Sequence, residues 1–370
     1  MNSPPKVLGN AFAGKTVLVT GHTGFKGSWL VAWLLRMGAR VIGIADDVPT
    51  EPSHFDVLGL DRAVDDHRID IRDAAAVARI VADARPDYLF HLAAQPLVRQ
   101  SYQSPLDTFA VNVLGTANVL EALRPLDTPC VAIMVTSDKC YDNVEWIWGY
   151  RETDRLGGKD PYSGSKGAAE LAIRSYVASF FADADSPVRV AVARAGNVIG
   201  GGDWAADRIV PDCVRAWAGG RAVEIRNPDA TRPWQHVLEP LSGYLWLAAR
   251  LAADHTLNGE AFNFGPAGAD DHTVREVLDA LVAGWPGAAW TLVPASGKPE
   301  AGLLKLNCDK AAARLAWRPT LDFAESVGLA GAWYRTFYHG GSIDAAAEMT
   351  AQQIDRYHAL ANARGLAWAA

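Results

Sequence analysis

The chain of 370 residues is 49% hydrophobic and 21% charged, and its formal net charge is -7 at pH 7. This length and composition exclude a disordered chain and predict a large core, divided between two domains rather than one. The acidic balance excludes a general attraction for nucleic acid or anionic membranes, so an anionic ligand must be held by local Arg, Lys and backbone N–H groups.

Targeting, redox and metal signals are weak. The most apolar stretch, residues 29–45, is interrupted by Arg36 and Gly38 before it could span a bilayer. The N-terminus does not resemble a signal peptide. We therefore expect a cytoplasmic protein with no membrane or nucleic-acid partner and no metal. Its free thiols, which lack paired metal-ligand spacing, are Cys130, Cys140, Cys213 and Cys308.

Short β-branched runs alternate with Ala/Leu-rich segments of helical period, which is typical of a parallel α/β sheet. The predicted strands lie at 15–21, 39–45, 87–94, 130–137 and 188–197. The predicted crossover helices lie at 26–37, 73–84, 104–123 and 161–182. We predict a Rossmann-type doubly wound sheet in residues 1–200, with about 233–265 returning to it. A smaller substrate-binding domain is expected mainly from residues 201–370, and ligands of such sheets bind at the carboxyl edge.

The first predicted strand is followed by Gly21, Gly24 and Gly27, directly before an amphipathic helix. Glycines there allow a tight turn and let the backbone approach a pyrophosphate, which the free N–H groups of the helix start then stabilise. The spacing is G-x-x-G-x-x-G, so the motif alone also fits an ordinary strand-to-helix turn. Its place after the first strand favours a dinucleotide.

Carboxylates follow the next two strands. Asp46 and Asp47 lie 25 and 26 residues after Gly21, where one carboxylate can bind the adenosine ribose 2′-OH and exclude NADP. We prefer Asp46, with solvated turn carboxylates as the alternative. Asp70 and Ile71 can flank the adenine, and a helix cap is the alternative for this pair.

Ser137, Asp138 and Lys139 stand together where the strand predicted at 130–137 reaches its carboxyl end. The simpler interpretations are a turn-forming hydroxyl for Ser137 and an Asx turn or ion pair for Asp138. Lys139 would then pair with Asp138 or Asp142. The chemical interpretation is a cluster of groups that hold and move protons.

Tyr162 and Lys166 are four residues apart on a predicted helix, so they share one face. Asp160 and Pro161 are a suitable N-cap and first residue for that helix. A Tyr-x-x-x-Lys pair is weak evidence alone, but this one lies at the same sheet edge as the glycine turn. A lysine ammonium and a cationic nicotinamide nearby would lower the tyrosine pKa, which makes a phenolate base usable near neutral pH.

These segments together resemble the extended short-chain dehydrogenase/reductase superfamily, and within it the CDP-glucose 4,6-dehydratases. The motifs are "TGHTGFKGSWL", "HLAAQPLV", "TSDKCYDNVEWIWGYRE" and "DPYSGSKGAAEL", and the similarity runs over nearly the whole chain. The related dTDP-glucose dehydratases typically have Thr-Asp-Glu in place of Ser137, Asp138 and Lys139. The resemblance implies bound NAD, held by Gly21, Gly24, Phe25, Lys26, Gly27, Asp46, Asp70, Ile71, Ala93, Tyr162 and Lys166.

The resemblance also implies a reaction at one hexose. The sugar is oxidised at C4, loses water across C5 and C6, and receives the same hydride at C6, which gives CDP-4-keto-6-deoxyglucose. Tyr162, assisted by Lys166, would take the C4 hydroxyl proton, and Ser137 would bind the same oxygen. Asp138, held protonated, would protonate the departing C6 hydroxyl. Lys139, in its neutral form, or a water that it positions would remove the C5 proton.

Supporting positions follow from the same resemblance. His91 ends the fourth strand near the cofactor, although a buried histidine satisfied by the backbone is the alternative. Asn112 lies in the helix behind the site. A homodimer formed through the helices at 104–123 and 161–182 is expected. The nucleotide diphosphate of CDP-glucose would be bound by Asn197, Arg208 and Arg232, with surface ion pairs as the alternative for each arginine.

Two rival functions remain. A nucleotide-sugar 4-epimerase or decarboxylase shares the oxidation at C4 but needs no acid–base pair for C5 and C6, so Asp138 and Lys139 disfavour it. A non-catalytic NAD-sensing protein would have no use for a phenolate base. The residues alone do not distinguish cytidine from other bases.

Overall fold

Seven parallel strands form the main sheet in the computed structural model, which describes residues 8–266, 272–294, 303–340 and 342–369. They are β1 (Thr16–Thr20), β2 (Arg40–Ala45), β3 (Asp65–Arg68), β4 (Tyr88–His91), β5 (Cys130–Val135), β6 (Val188–Ala195) and β7 (Ala261–Phe264). Their spatial order is β7-β6-β5-β4-β1-β2-β3. The strand order therefore reverses between β1 and β4, where doubly wound sheets bind ligands.

The sheet confirms the predicted fold class, and each of the five predicted strands is present with slightly shorter bounds. Their apolar residues are buried because helices cover both faces of the sheet. Of the two edge strands, β3 was indicated only by the strand end placed before Asp70, and β7 lies in the range predicted to return to the sheet but was not predicted as a strand. The sequence of β3 is Asp-Asp-His-Arg, which has no apolar run, and only four residues form β7.

The crossover helices lie close to their predicted positions. The helices at 104–123 and 161–182 each contain a wider π-helical stretch, at Ala110–Gly115 and Val177–Phe181 respectively. The α-helices of the described chain are Leu8–Phe12, Phe25–Arg36, His54–Val57, Ala74–Ala84, Val98–Gln103, Pro105–Phe109, Thr116–Leu123, Pro161–Tyr176, Ile209–Ala218, Leu238–Ala253, Val274–Val282, Phe323–His339 and Ile343–Ala363.

Short elements complete the described fold. A further π-helical turn lies at Ala311–Leu315, and 3₁₀ turns lie at Leu60–Arg62, Asp138–Cys140 and His255–Leu257. Three two-stranded pairs stand outside the main sheet: Val198–Ile199 with Gln235–His236, Val223–Ile225 with Trp290–Leu292, and Thr231–Arg232 with His272–Thr273.

Parts of the C-terminal half pack on the main sheet and its helices. Strand β7 pairs with β6, within the range predicted to return to the sheet. The last helix, Ile343–Ala363, packs against Phe25–Arg36, where the rings of Tyr357 and Trp33 are 5.7 Å apart. Residues 201–370 are therefore not all separate from the first 200, and the division into two domains stays a prediction.

None of the described helices is long and apolar enough to cross a membrane. Among the described residues, no group of three or more His, Cys, Asp or Glu side chains could hold a metal ion. Cys130, Cys140 and Cys213 are buried free thiols, and Cys308 is a half-buried one.

Candidate active site

The glycine turn after β1 has the close packing that its sequence predicts. Gly21 has φ +72°, and a Cβ there would lie 2.7 Å from the backbone nitrogen of Ala93. A Cβ on Gly27 would lie 2.0 Å from the carbonyl oxygen of Gly21. Gly24 is the N-cap of the helix Phe25–Arg36 and provides no side-chain cap. The first N–H groups of this helix therefore remain able to bind the pyrophosphate of a dinucleotide, so these residues fit NAD.

Asp46 and Asp47 are both exposed at the end of β2. Each carboxylate accepts a hydrogen bond from the backbone N–H of the next residue, over 3.0 Å for Asp46 and 2.7 Å for Asp47. The hydroxyl of Thr23, in the glycine turn, donates to the carbonyl oxygen of Asp47 over 2.6 Å. This bond holds the backbone of Asp47 beside the turn, and it does not select one of the two carboxylates for the ribose.

Asp70 and Ile71 follow β3 but differ in accessibility. The Asp70 carboxylate accepts hydrogen bonds from the side chain and backbone of Arg72, and these bonds lower its pKa. Ile71 is 4% exposed and packs in the core beside Gly115. The helix cap proposed as their alternative role belongs to Asp73, which accepts from the N–H of Ala76. Their role at the adenine stays a prediction.

The end of β4 contributes a buried polar layer beside the glycine turn. His91 is bound by the hydroxyls of Thr20, at 2.7 Å, and Thr116, at 2.9 Å. It is thus buried, as in the alternative interpretation, but its partners are side chains and not the backbone. Burial lowers its pKa to about 3. Asn112 donates to Ser165 over 2.8 Å and so joins its helix to the one that carries Tyr162.

Ser137 and Asp138 form a buried pair just after β5. The Ser137 hydroxyl donates to Asp138 Oδ1 over 2.8 Å and accepts from the backbone N–H of Lys139 over 3.2 Å. The hydroxyl therefore forms the turn and also holds the acid. Asp138 is 4% exposed, and burial raises its pKa, which favours the protonated form predicted for it.

Lys139 is half-buried beside this pair. Among the described residues it forms no ion pair within 4.0 Å, so the simple pairing with Asp138 or Asp142 is not seen. Asp142 instead lies 3.5 Å from Arg155. Lys139 still lies near enough for its positive charge to oppose the effect of burial on the pKa of Asp138.

Tyr162 and Lys166 lie on the helix Pro161–Tyr176, which we call the Tyr162 helix. It begins as predicted, because Asp160 accepts from the N–H of Ser163 over 2.9 Å. Both functional side chains are buried, at 8% and 7% exposure, and Ser137 and Asp138 lie near enough to Tyr162 to act on its pKa. The structure therefore brings Ser137, Asp138 and Tyr162 together at one point of the sheet edge.

The pKa values of the Tyr162 helix describe the effect of the protein groups alone. Burial raises the pKa of Tyr162 to about 12, and the neighbouring Ser137 hydroxyl only partly opposes this effect. Burial also lowers the pKa of Lys166 to about 8, while the nearby Cys140 and Glu170 act to raise it. The predicted lowering of the tyrosine pKa included the positive charge of a bound nicotinamide, so it stays a prediction.

The three predicted diphosphate ligands have different surroundings. Asn197 is exposed between β6 and Val198–Ile199, next to Gly196, where a Cβ would lie 3.1 Å from Asp138 Oδ2. Arg208 donates to Asp203 over 2.7 Å, so it does form an ion pair, yet its charge also acts on the pKa of Tyr162. Arg232 donates to the carbonyl oxygen of Thr231 over 2.8 Å.

A family model described as GDP-mannose 4,6 dehydratase matches residues 18–329, which is most of the chain. The chain belongs to the GDP-mannose 4,6 dehydratase family.

Individual proteins similar to this chain are nucleotide-sugar dehydratases and a 4-epimerase. CDP-glucose 4,6-dehydratase of Salmonella typhimurium is 47% identical over 335 residues, which cover 90% of this chain and 93% of that protein. The dTDP-glucose 4,6-dehydratase of Streptomyces antibioticus is 32% identical over 332 residues, covering 86% and 92%. The solved UDP-glucose 4-epimerase of Thermus thermophilus in complex with NAD has 27% identity and a TM-score of 0.73, covering 86% and 99%. The resemblance drawn from the motifs is confirmed.

Sequence reasoning missed a buried ion pair behind the site of this family member. Arg194 in β6 donates twice to Glu170, over 2.8 Å each, and both side chains are 2–3% exposed. Glu170 also accepts from Thr136, the residue before Ser137, over 2.5 Å. The pair thus joins the Tyr162 helix to the end of β5. Two features of the sequence indicate this ion pair. Glu170 lies four residues after Lys166, and Arg194 interrupts an apolar strand.

Lys26 has a side-chain partner outside the glycine turn. Its amine donates to the hydroxyl of the buried Tyr244 over 3.4 Å. Its charge and that of Asp138 act on each other's pKa. Its role at the cofactor stays a prediction.

Proposed function

We propose that this chain is an NAD-dependent CDP-glucose 4,6-dehydratase that forms CDP-4-keto-6-deoxyglucose. The observation that carries the proposal is the buried cluster of Ser137, Asp138 and Tyr162 at the carboxyl end of β5. The 47% identity to a CDP-glucose 4,6-dehydratase over 90% of the chain supports the same reaction. The glycine turn and the exposed carboxylates of Asp46 and Asp47 supply the matching dinucleotide site.

The first step is the oxidation of C4. Bound NAD supplies the hydride acceptor, which takes the C4 hydride and later returns it to C6. Tyr162 removes the proton of the C4 hydroxyl, while Ser137 donates a hydrogen bond to the oxygen that becomes the ketone. Lys166, one turn further along the helix, holds positive charge below its pKa of about 8 and favours the ionised form of Tyr162.

The second step is the loss of water across C5 and C6. The C4 ketone acidifies the C5 proton, which Lys139 or a water beside it removes. Asp138 gives its proton to the C6 hydroxyl, so that the C6–O bond breaks with water as the leaving group. Burial of Asp138 supports this role, because a raised pKa keeps a proton available to donate. The final step returns the hydride to C6 and a proton to C5.

The nucleotide diphosphate of the substrate is assigned to a second group of residues. We assign Asn197, Arg208 and Arg232 to the diphosphate, because guanidinium groups bind phosphate oxygens through two donors. Arg208 is the best supported of these, since its charge reaches Tyr162. A 4-epimerase would need no acid at C6, so a buried acid hydrogen-bonded to Ser137 favours the dehydratase.

The decisive experiment supplies CDP-glucose deuterated at C4, in ordinary water. The dehydratase is expected to give a 4-keto product with deuterium at C6 and a solvent hydrogen at C5, which NMR and mass spectrometry can locate. Label that stays at C4 of a stereoisomer would indicate an epimerase. NAD binding without turnover of CDP-, dTDP-, UDP- or GDP-hexoses would support a sensor instead.

We also propose a cytoplasmic homodimer formed by the helical segments 104–123 and 161–182. Leu106, Leu114 and Leu171 project apolar side chains that are 85%, 61% and 55% exposed. Large exposed apolar side chains clustered on neighbouring helices are typical of an interface. The free buried cysteines fit the reducing cytoplasm. Light scattering should give a dimer for the wild type and a monomer for Leu106→Glu with Leu171→Glu; a monomeric wild type would contradict the proposal.

A further inference from the structure

The turn of residues 137–140, which we call the catalytic turn, is tied at both ends to one buried ion pair. Before the turn, the hydroxyl of Thr136 donates to Glu170 over 2.5 Å. After the turn, the hydroxyl of Tyr141 accepts from Arg194 over 2.8 Å. Arg194 and Glu170 are joined by two hydrogen bonds of 2.8 Å. The ion pair therefore connects the residue that precedes the catalytic turn with the residue that follows it.

Further hydrogen bonds enclose this ion pair in the protein interior. Arg194 also donates to the carbonyl oxygen of Glu152 over 3.1 Å, and Tyr141 donates to Asn263 of β7 over 2.7 Å. Arg194, Glu170, Tyr141 and Asn263 are 0–4% exposed. A buried ion pair adds little net stability compared with apolar residues of similar size, but its directional hydrogen bonds restrict the side chains to one arrangement. Such a network is suited to fixing the geometry of the groups attached to it.

The Tyr162 helix packs directly on the catalytic turn. Gly167 follows Lys166 on this helix, and a Cβ there would lie 3.1 Å from the backbone nitrogen and oxygen of Gly157 and 3.3 Å from the carbonyl oxygen of Cys140. Glu170 lies on the same helix, one turn after Lys166. The close backbone contact and the ion pair together set how the helix lies against the turn.

We propose that Glu170 and Arg194 are positioning residues that hold the catalytic turn against the Tyr162 helix, so that Asp138 and Tyr162 act on one hexose. This inference rests on the proposed dehydratase function. In that reaction Tyr162 takes the C4 hydroxyl proton and Asp138 protonates the departing C6 hydroxyl, so both groups must reach the same ring. A displacement of about 1 Å can lower the rate about 100-fold. Glu170 and Arg194 therefore act through the turn and the helix, without contact with the substrate.

The test removes each connection between the ion pair and the catalytic turn and leaves the pair itself intact. Thr136→Val keeps the shape of the side chain but removes the hydroxyl that donates to Glu170. Thr136→Ser keeps the hydroxyl and removes the methyl group. Tyr141→Phe removes the hydroxyl that accepts from Arg194. Comparison of the two Thr136 variants separates the hydrogen bond from the packing of the side chain.

Two matched control variants remove buried hydroxyls elsewhere in the described chain. The hydroxyl of Thr350 accepts from Trp333 over 2.8 Å, and that of Tyr357 donates to Glu239 over 2.8 Å. Thr350 and Tyr357 are 1% and 0% exposed. Thr350→Val and Tyr357→Phe therefore cost the fold similar hydrogen bonds without loosening the catalytic turn.

Steady-state kinetics with CDP-glucose gives the decisive comparison. We expect Thr136→Val and Tyr141→Phe to lower kcat about 10-fold to 100-fold and to leave KM nearly unchanged, because proton-transferring groups are displaced and binding residues are not. Thr136→Ser should retain most of the wild-type kcat, and both controls should retain all of it. The melting temperatures of Thr136→Val, Tyr141→Phe and the controls should fall by a similar few degrees, since each variant loses buried hydrogen bonds.

Wild-type kcat in either Thr136→Val or Tyr141→Phe would overturn the inference. An equal loss of kcat in Thr136→Ser and Thr136→Val would also overturn it, because the hydroxyl would then not be the group that matters. A loss of kcat in the controls as large as in the test variants would show a general loosening of the fold and would have the same consequence. Absence of CDP-glucose turnover in the wild type would instead reject the proposed function, so the two failures are distinguishable.

Discussion

The two sides of the site differ in how the fold holds them. The chemical centre, formed by Ser137, Asp138, Tyr162 and Lys166, is buried, and each of these side chains is 4–9% exposed. The cofactor rim, formed by Asp46 and Asp47, is exposed, and its two carboxylates bond mainly to neighbouring backbone. Burial shifts pKa values and fixes geometry, so the centre is suited to proton transfer. The rim is suited to binding and release.

Removal of the Tyr162 hydroxyl tests the chemical centre most strongly. Tyr162→Phe should lower kcat for CDP-glucose about 1,000-fold to 10,000-fold, because the base for the C4 hydroxyl is lost. Bound NAD should persist, since the rim is untouched. Tyr176→Phe, on the same helix but away from the site, serves as the control. Wild-type kcat in Tyr162→Phe would exclude Tyr162 as the base.

The ion pair behind the centre should matter for stability as well as rate. Glu170→Gln leaves the buried Arg194 without its anion and should lower the free energy of unfolding by about 3 kcal/mol. Urea denaturation measures this loss. Glu121→Gln removes an exposed pair with Arg124 and should cost about 0.5 kcal/mol or less. Equal losses of unfolding free energy in the two variants would show that the buried ion pair stabilises the fold no more than the exposed one.

Ser137 should have a smaller effect than Tyr162, because it donates a hydrogen bond and transfers no proton permanently. Ser137→Ala is expected to reduce kcat about 10-fold to 100-fold and to leave KM nearly unchanged. Steady-state kinetics separates the two parameters, with Ser175→Ala on the Tyr162 helix as the control. A change confined to KM would place Ser137 in substrate binding instead.

Substitutions in the cofactor rim should have the smallest effect, and they should change the affinity for the cofactor and not kcat. Asp46→Asn is expected to weaken NAD about tenfold, which corresponds to about 1.4 kcal/mol, and to improve binding of NADP. Titration calorimetry on protein freed of cofactor measures both affinities. Asp47→Asn is the matched variant, because the two carboxylates are equally exposed. A larger loss in Asp47→Asn would transfer the ribose role to Asp47.

Periodic and local features were readable before any coordinates. The alternation of apolar runs and helical segments predicted five strands of the sheet, because each pattern reports which side of an element is buried. The glycine turn and the Asp160–Pro161 helix start were also local, since backbone sterics and capping act over a few residues. Strand β3 was not among the listed strands because its residues are polar, and only the carboxylate that follows it indicated a strand end.

The amino-acid sequence by itself determined the α/β class, the glycine turn, the Tyr162 helix and the motifs that carry the family resemblance. Only the tertiary structure decided that burial raises the pKa of Tyr162 and Asp138 and that Arg194 pairs with Glu170. These features depend on desolvation and on a contact between residues 24 positions apart in the chain. Such long-range effects have no local signature, because a side chain's partners and its solvent exposure are fixed only when the elements pack together.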